Sequence, residues 1–87
     1  METNVKYTPK QLGDLVREIR KRLGVTQRDL ALTSGTGLRF VIDLEKGKPT
    51  CQLGKALTVL HTLGIKITLV APSGAEGQRP TGLKEAR

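Results

Sequence analysis

Residues 26–48, TQRDLALTSGTGLRFVIDLEKGK, contain two short apolar-periodic runs that are separated by four small residues, SGTG. Glycine costs about 1 kcal/mol in a helix interior, and serine and threonine also favour turns, so a continuous helix is disfavoured here. Helical spacing resumes directly after the break, with Leu38, Val41 and Leu44 at its apolar positions. The chain is therefore expected to place two short helices on either side of a tight turn.

Capping patterns predict where the first two helices begin. At residues 8–11, TPKQ, a threonine N-cap precedes a proline at the first helical position and a glutamine spaced for a capping box. This pattern predicts a first helix over about residues 9–23, which Gly24 ends. Thr26 and Asp29 repeat the capping spacing and predict a second helix of about eight residues.

Apolar periodicity predicts two further helices. We expect the third over about residues 37–45, ending at Lys46-Gly47, because a basic residue followed by glycine is preferred at a helix C-terminus. Thr50 is expected to cap a fourth helix, which Gly64 ends. The apolar stripe of this fourth helix consists of Leu53, Ala56, Leu57, Leu60 and Leu63.

Residues 65–70, IKITLV, nearly alternate apolar with polar residues and are rich in β-branched types, which predicts a strand. A single strand needs a partner, and the chain offers only Val5–Tyr7 or the same strand of a second copy. We favour the second copy, which predicts a homodimer with an intermolecular sheet. The residues of this dimer strand are Ile65, Ile67 and Leu69. One domain is thus expected at residues 1–70, followed by a polar, disordered tail at residues 71–87.

The charge of the chain favours a polyanionic partner. Among 87 residues, 15 Lys and Arg face 8 Asp and Glu, which leaves a formal net charge of +7. This imbalance points first to nucleic acid, and a basic surface without a partner is the alternative. Tyr7 and Phe40 are the only Phe, Tyr or Trp residues, so the chain has few aromatic side chains on which unpaired bases could stack. Duplex DNA is therefore favoured over RNA or single strands.

Other classes of function are disfavoured. Cys51 and His61 are the only residues of their types, which is too few for a metal cage, and one cysteine excludes an intramolecular disulfide. The glycines near residues 35 and 54 lack the other positions of a dinucleotide-binding or phosphate-binding loop. No apolar run has membrane-spanning length, and the first residues have no signal-peptide character. We expect a cytoplasmic protein that is not an enzyme and that has no cofactor, metal or membrane partner.

Two short helices joined by a tight, glycine-containing turn form a helix-turn-helix. In this motif the first helix contacts the DNA backbone and the second enters the major groove. A helical hairpin with no DNA role would contain the same break. We favour the DNA-binding interpretation, and the pattern alone leaves the other open.

The residues of this region also resemble a known family. The run IRKRLGVTQRDLALTSG, followed by VIDLEKGKPT, is similar to Xre/Cro helix-turn-helix repressors, with the pattern R-x-x-x-G-x-T-Q-x-x-L-A and the close L-E-x-G-K. This resemblance covers about residues 9–63 and implies a mainly α, lambda-repressor-like bundle that binds double-stranded operator DNA. The flanking segments YTPKQLG and KALTVLHTLGIKITLV resemble HipB-type antitoxins. That second resemblance implies a dimeric repressor of its own operon that pairs with a HipA-type kinase toxin.

Two alternatives stay open beside the antitoxin. One is a stand-alone or phage-like Xre regulator without a toxin. The other is a protein-interaction module that has kept the fold without binding DNA.

The resemblance assigns backbone contacts to four residues. Thr26 and Gln27 match positions that open the second helix against the DNA backbone, although Thr26 would cap that helix in either case. Lys46 and Lys48 follow the recognition helix, and we expect each to contact a phosphate and to add about one unit to the salt dependence of binding. Solvated lysines are the alternative.

Six residues match the positions that face base edges in the family. Arg39 is the strongest candidate, because a guanidinium can bridge O6 and N7 of guanine or grip a phosphate. Asp43 could accept a hydrogen bond from cytosine N4, exclude wrong sequences or end the helix. Gly37 and Leu38 depart from the polar residues usual at their positions, which leaves the operator sequence undetermined. The six residues are Thr36, Gly37, Leu38, Arg39, Ile42 and Asp43.

Arg20 and Glu45 match positions that form an ion pair in relatives of this pattern. The resemblance implies that this pair ties the first helix to the end of the third. Its role would be structural, because removal of one partner of a buried pair leaves the other charge without compensation.

Overall fold

The computed structural model describes residues 7–73 and contains four helices in that range. They are α1 (Pro9–Arg22), α2 (Gln27–Ser34), α3 (Leu38–Lys46) and α4 (Leu53–Thr62). The predicted mainly helical bundle of four helices is therefore confirmed, with bounds of the first three that shift by one residue or less. The start of the fourth was wrong: Pro49 and Thr50 lie in a turn, and α4 begins after Gln52.

The first two helices begin at the predicted capping boxes. The Gln11 backbone N–H donates to Thr8 Oγ1 at 3.1 Å, and the Thr8 backbone N–H donates to Gln11 Oε1 at 3.0 Å. In α2, the Asp29 backbone N–H donates to Thr26 Oγ1 at 3.0 Å. The Thr26 backbone N–H donates in return to Asp29 Oδ2 at a longer distance of 3.4 Å. These bonds satisfy amide groups that would otherwise have no partner within the helix.

The break between α2 and α3 depends on two glycines with positive φ. Gly35 ends α2 in the left-handed conformation at φ 73°, and its N–H donates to the Ala31 carbonyl at 2.9 Å. Gly37 precedes α3 with φ 96° and ψ 147°, a conformation that residues with a Cβ rarely adopt. The chain therefore turns sharply and resumes helical structure within three residues.

The core is formed by apolar residues from all four helices. Its fully buried members are Val16, Leu30, Val41, Val59 and Leu60. The buried face of α4 consists of residues 56, 59 and 60 and continues to the C-cap Leu63, whereas Leu53 and Leu57 of the predicted stripe are exposed. Spacing alone could not distinguish the two sides of α4, because apolar residues occupy both.

The predicted strand at residues 65–70 is absent, which corrects that part of the expected fold. Residues 65–73 form neither helix nor strand, and no ladder pairs with them within residues 7–73. A strand requires a neighbouring strand for its backbone groups, and one copy of the chain supplies none in this range. Ile65 packs partly against the core, whereas Ile67, Leu69 and Val70 are exposed. The alternative partner from residue 5 and most of the predicted tail lie outside the described residues.

Helices α1 and α3 approach closely at Gly13, which is buried in the middle of α1. A methyl group at this position would overlap the carbonyl oxygen of Leu44 and lie 2.8 Å from that of Glu45. Both obstacles are backbone atoms, which cannot move without displacing α3. The missing side chain at Gly13 thus sets the spacing of the two helices.

We predict that Gly13→Ala lowers the free energy of unfolding by about 2 kcal/mol, because overpacking outweighs the gain of about 1 kcal/mol in helix propensity. Gly54→Ala is the matched control, since a Cβ at this helical glycine meets nothing within 4 Å. The control should leave stability unchanged or raise it. Urea unfolding of both variants measures the difference, and equal stabilities would contradict the packing argument.

Candidate nucleic-acid interface

A buried ion pair joins the helix-turn-helix to α1. Arg20 Nε donates to Glu45 Oε2 at 2.6 Å and Arg20 Nη2 donates to Glu45 Oε1 at 3.0 Å. The two side chains are only 9% and 3% exposed. Arg20 Nη1 also donates to the Val25 carbonyl at 2.8 Å, which anchors the loop before α2. The hydrogen bond to Glu45 raises the pKa of Arg20, burial opposes this, and the charge of Glu45 adds to it.

Gln27 is the third member of this network. Its Nε2 donates to Glu45 Oε1 at 3.1 Å, so the residue at the start of α2 is tied to the end of α3. Gln27 was predicted to contact the DNA backbone, and its bond to Glu45 had no sequence signal because the two residues are 18 positions apart. The bond restrains one end of the Gln27 amide without occupying its oxygen.

The turn and the first residues of α3 carry several of the predicted base-reading positions. Thr36 is half-buried, and its Oγ1 lies 2.9 Å from Ser34 Oγ, so it contributes to the turn itself. Leu38 packs partly against the core. Arg39 is exposed at the start of α3, and Ile42 is half-buried one turn later.

Asp43 lies between two cations of the same surface. Arg39 Nε is 3.5 Å from Asp43 Oδ1, and Lys48 Nζ is 3.6 Å from Asp43 Oδ2. The spacing of Arg39 and Asp43, four residues apart on one helix, could have indicated the first pair. The pair between Lys48 and Asp43 depends on the backbone conformation after the end of α3, which residue spacing did not indicate.

A shallow depression of about 210 Å³ adjoins the ion pair where α1, α2 and α3 meet. Its lining includes the cations Lys10, Arg17 and Lys46 together with Gln27. Asp14 also lines it, with one oxygen 2.6 Å from Lys10 Nζ. A phosphate contact was predicted for Lys46, whereas Lys10 was not among the residues predicted to contact DNA. The depression brings positive charge from two helices to the start of α2.

Within residues 7–73, no group of three or more His, Cys, Asp or Glu side chains could hold a metal ion. Over the same described range, none of the helices has the length and apolar character needed to cross a bilayer.

The chain is similar to several proteins of known class. A model of the helix-turn-helix family HTH_3 matches residues 16–70. The HTH-type transcriptional regulator y4mF of Sinorhizobium fredii is 54% identical over 65 residues, which are 75% of this chain and 86% of that protein. Among solved structures, HipB in the "HipB-O4 20mer complex" is 25% identical with a TM-score of 0.69, covering 79% of this chain and 97% of that one. A chain of the "HipA-HipB-O2-O3 complex" matches with the same identity, coverage and TM-score.

This protein belongs to the helix-turn-helix family and is homologous to transcriptional regulators. The solved structures that share its fold include HipB chains, which agrees with the resemblance noted for the flanking segments.

We predict that Glu45→Ala lowers the free energy of unfolding by about 3 kcal/mol, because it leaves the buried Arg20 guanidinium without its partner. The matched control is Glu18→Ala, which removes the carboxylate 2.7 Å from Arg22 in an exposed pair. The control should cost less than about 1 kcal/mol. Thermal and urea unfolding measure both effects, and a Glu45→Ala protein that melts like wild type would rule out a stabilising role for the pair.

Proposed function

We propose that this protein is a sequence-specific, homodimeric repressor that binds double-stranded operator DNA and acts as the antitoxin of a HipA-type kinase toxin. It would autoregulate its operon. The observation that supports DNA binding most directly is the exposed Arg39 at the start of α3, directly after the tight turn. A helix-turn-helix presents this part of its second helix to base edges in the major groove.

Base readout would depend mainly on Arg39 and Asp43. Arg39 would bridge O6 and N7 of a guanine, and Asp43 would face a base-edge donor such as cytosine N4. Gly37 lets the backbone come close to the DNA, while Ile42 and the exposed edge of Leu38 can contact only apolar groups such as a thymine methyl. Thr36 would serve the turn that places them.

Phosphate contacts would fix the orientation of α3. The N-terminus of α2, with Thr26 and Gln27, presents backbone amides to a phosphate. Lys46 and Lys48 would hold phosphates beyond the other end of α3. The basic depression beside Gln27 supports the same assignment, since its cations adjoin that helix start.

A second copy of the chain would complete the repressor. Ile67, Leu69 and Val70 are exposed on the segment after α4, and a second copy would remove this apolar surface from water. A two-fold dimer would place two recognition helices about 34 Å apart, one turn of DNA, on a two-fold symmetric operator.

The toxin partner is supported by similarity. The matched HipB chain covers 79% of this protein, and its structure contains HipA. A repressor that also restrains a kinase would act in the cytoplasm, where its operator and the toxin meet.

We predict that wild-type protein prefers the duplex upstream of its own gene to a scrambled duplex of equal length, with two protomers per duplex. Arg39→Ala should greatly reduce this preference, since removing a bidentate base contact costs about 1–3 kcal/mol of discrimination at each half-site. Arg22→Ala is the matched control, because Arg22 is likewise an exposed arginine four residues from an acidic partner. A salt-varied fluorescence titration measures all three proteins.

The control should retain the preference. Equal, weak and steeply salt-dependent binding of wild type to both duplexes would exclude a specific repressor and favour the protein-interaction module.

We further predict that this protein copurifies with a kinase encoded beside it when the two are coexpressed, and that it relieves growth inhibition by that kinase. Arg39→Ala should keep this activity, because it changes DNA readout and leaves the fold intact. Operator binding without capture of the kinase or relief of its toxicity would identify a stand-alone regulator instead.

A further inference from the structure

The carboxylate of Asp43 stands between the two cations that flank the recognition surface. One oxygen faces Arg39 Nε at 3.5 Å, and the other faces Lys48 Nζ at 3.6 Å. Arg39 belongs to the first turn of α3, whereas Lys48 follows its C-terminal glycine. A single carboxylate therefore offsets positive charge at both ends of the helix.

The backbone places Lys48 beside Asp43. Gly47 adopts φ 84°, its N–H donates to the Leu44 carbonyl at 3.0 Å, and the Lys48 N–H donates to the Asp43 carbonyl at 3.1 Å. This pair of bonds is the Schellman arrangement that ends many helices. Because the turn is hydrogen-bonded to Asp43 itself, the ammonium of Lys48 stays within reach of that carboxylate.

Both ion pairs are longer than the 2.7–2.9 Å typical of strong charge-assisted hydrogen bonds. The side chains of Arg39 and Lys48 are 78% and 54% exposed, while that of Asp43 is 18% exposed. The cations are thus attracted to Asp43 without being locked to it. Either cation can move from Asp43 to the DNA, but the carboxylate of Asp43 then remains at the recognition surface.

We propose that Asp43 determines the specificity of this protein by acting as an internal counter-ion that restrains Arg39 and Lys48 from binding phosphates indiscriminately. The inference rests on the proposed DNA-binding function and assigns a mechanism to it.

Two kinds of complex are affected differently by this carboxylate. In a backbone-only complex, both cations would leave Asp43 for phosphates, and the uncompensated carboxylate would face a polyanion. In an operator complex, Arg39 would turn to a base edge and Asp43 would face a base donor, so the carboxylate gains a partner. Repulsion therefore weakens non-specific binding more than operator binding, which is how an unfavourable element creates specificity.

Asp43→Asn tests this inference, because it removes the charge and keeps the size of the side chain. Its affinity for a scrambled duplex should rise about tenfold at 0.1 M salt, with a salt dependence steeper by about one unit, because the net positive charge that faces the phosphates rises by one. Affinity for the operator should change less than about threefold, because the amide oxygen can still accept the hydrogen bond from the base and the weaker contact is offset by the loss of repulsion from the phosphates. The preference for operator should therefore fall about tenfold.

Glu18→Gln is the matched control. It removes one negative charge from an exposed pair with an arginine four residues away on α1, so the net charge changes equally. It should shift affinity for both duplexes by the same small factor. If Asp43→Asn shifts both duplexes equally, or no more than Glu18→Gln does, the inference is overturned.

Two further outcomes separate folding and function from this inference. Thermal melts of the variants identify any loss of fold. Asp43→Ser also removes the charge, so it should reproduce the effect of Asp43→Asn. Failure of the folded Asp43→Ser protein to do so would overturn the inference. A wild-type protein with no preference between duplexes would refute the repressor function alone. In that case a tenfold gain on the scrambled duplex, unique to the Asp43 variants, would still support the restraint on phosphate binding.

Discussion

The buried ion pair between Arg20 and Glu45 is the interaction on which the arrangement of the helix-turn-helix depends. Burial makes each charge costly unless it is paired and hydrogen-bonded. The partners come from α1, α3, the loop before α2 and the first residue of α2. All of these bonds form together only when the three helices occupy their native positions. The pair therefore favours one arrangement of helices, whatever its net contribution to stability.

Close backbone packing supplies a second constraint on the same helices. Gly13 lets α1 lie directly against the carbonyl groups at the end of α3, and Gly47 lies so near Lys10 that a Cβ there would be 2.7 Å from the Lys10 Cα. Both contacts bring the C-terminal end of α3 against α1. Because interiors are packed at crystal-like density, an added methyl group at either point must displace a helix. The position of α3 relative to α1 is thus set by a polar network and by steric contact together.

The surface of α3 combines attraction with restraint. Net charge draws the protein toward polyanions in general, which raises association with any duplex. Discrimination needs a term that differs between sequences, and the carboxylate of Asp43, held beside two cations, would supply one under the proposed function. Gln27, which is proposed to contact the DNA backbone, is oriented by Glu45, the same residue that compensates the charge of Arg20. Under the proposed function, recognition and folding would therefore share residues in this small domain.

The sequence by itself determined the first three helices and the break between α2 and α3. Thr8, Thr26 and Gly35 act through hydrogen bonds to residues three or four positions away. Their effect on helix ends can therefore be predicted from short stretches of sequence. Only the tertiary structure decided which side of α4 is buried, that Gln27 binds Glu45, and that Lys48 reaches Asp43. It also decided that residues 65–70, whose alternation predicts a strand, form none when a single copy offers no partner within residues 7–73. The physical reason is range: capping bonds are complete within one helical turn, whereas burial, ion pairing and strand formation require groups that folding or a second chain must bring together.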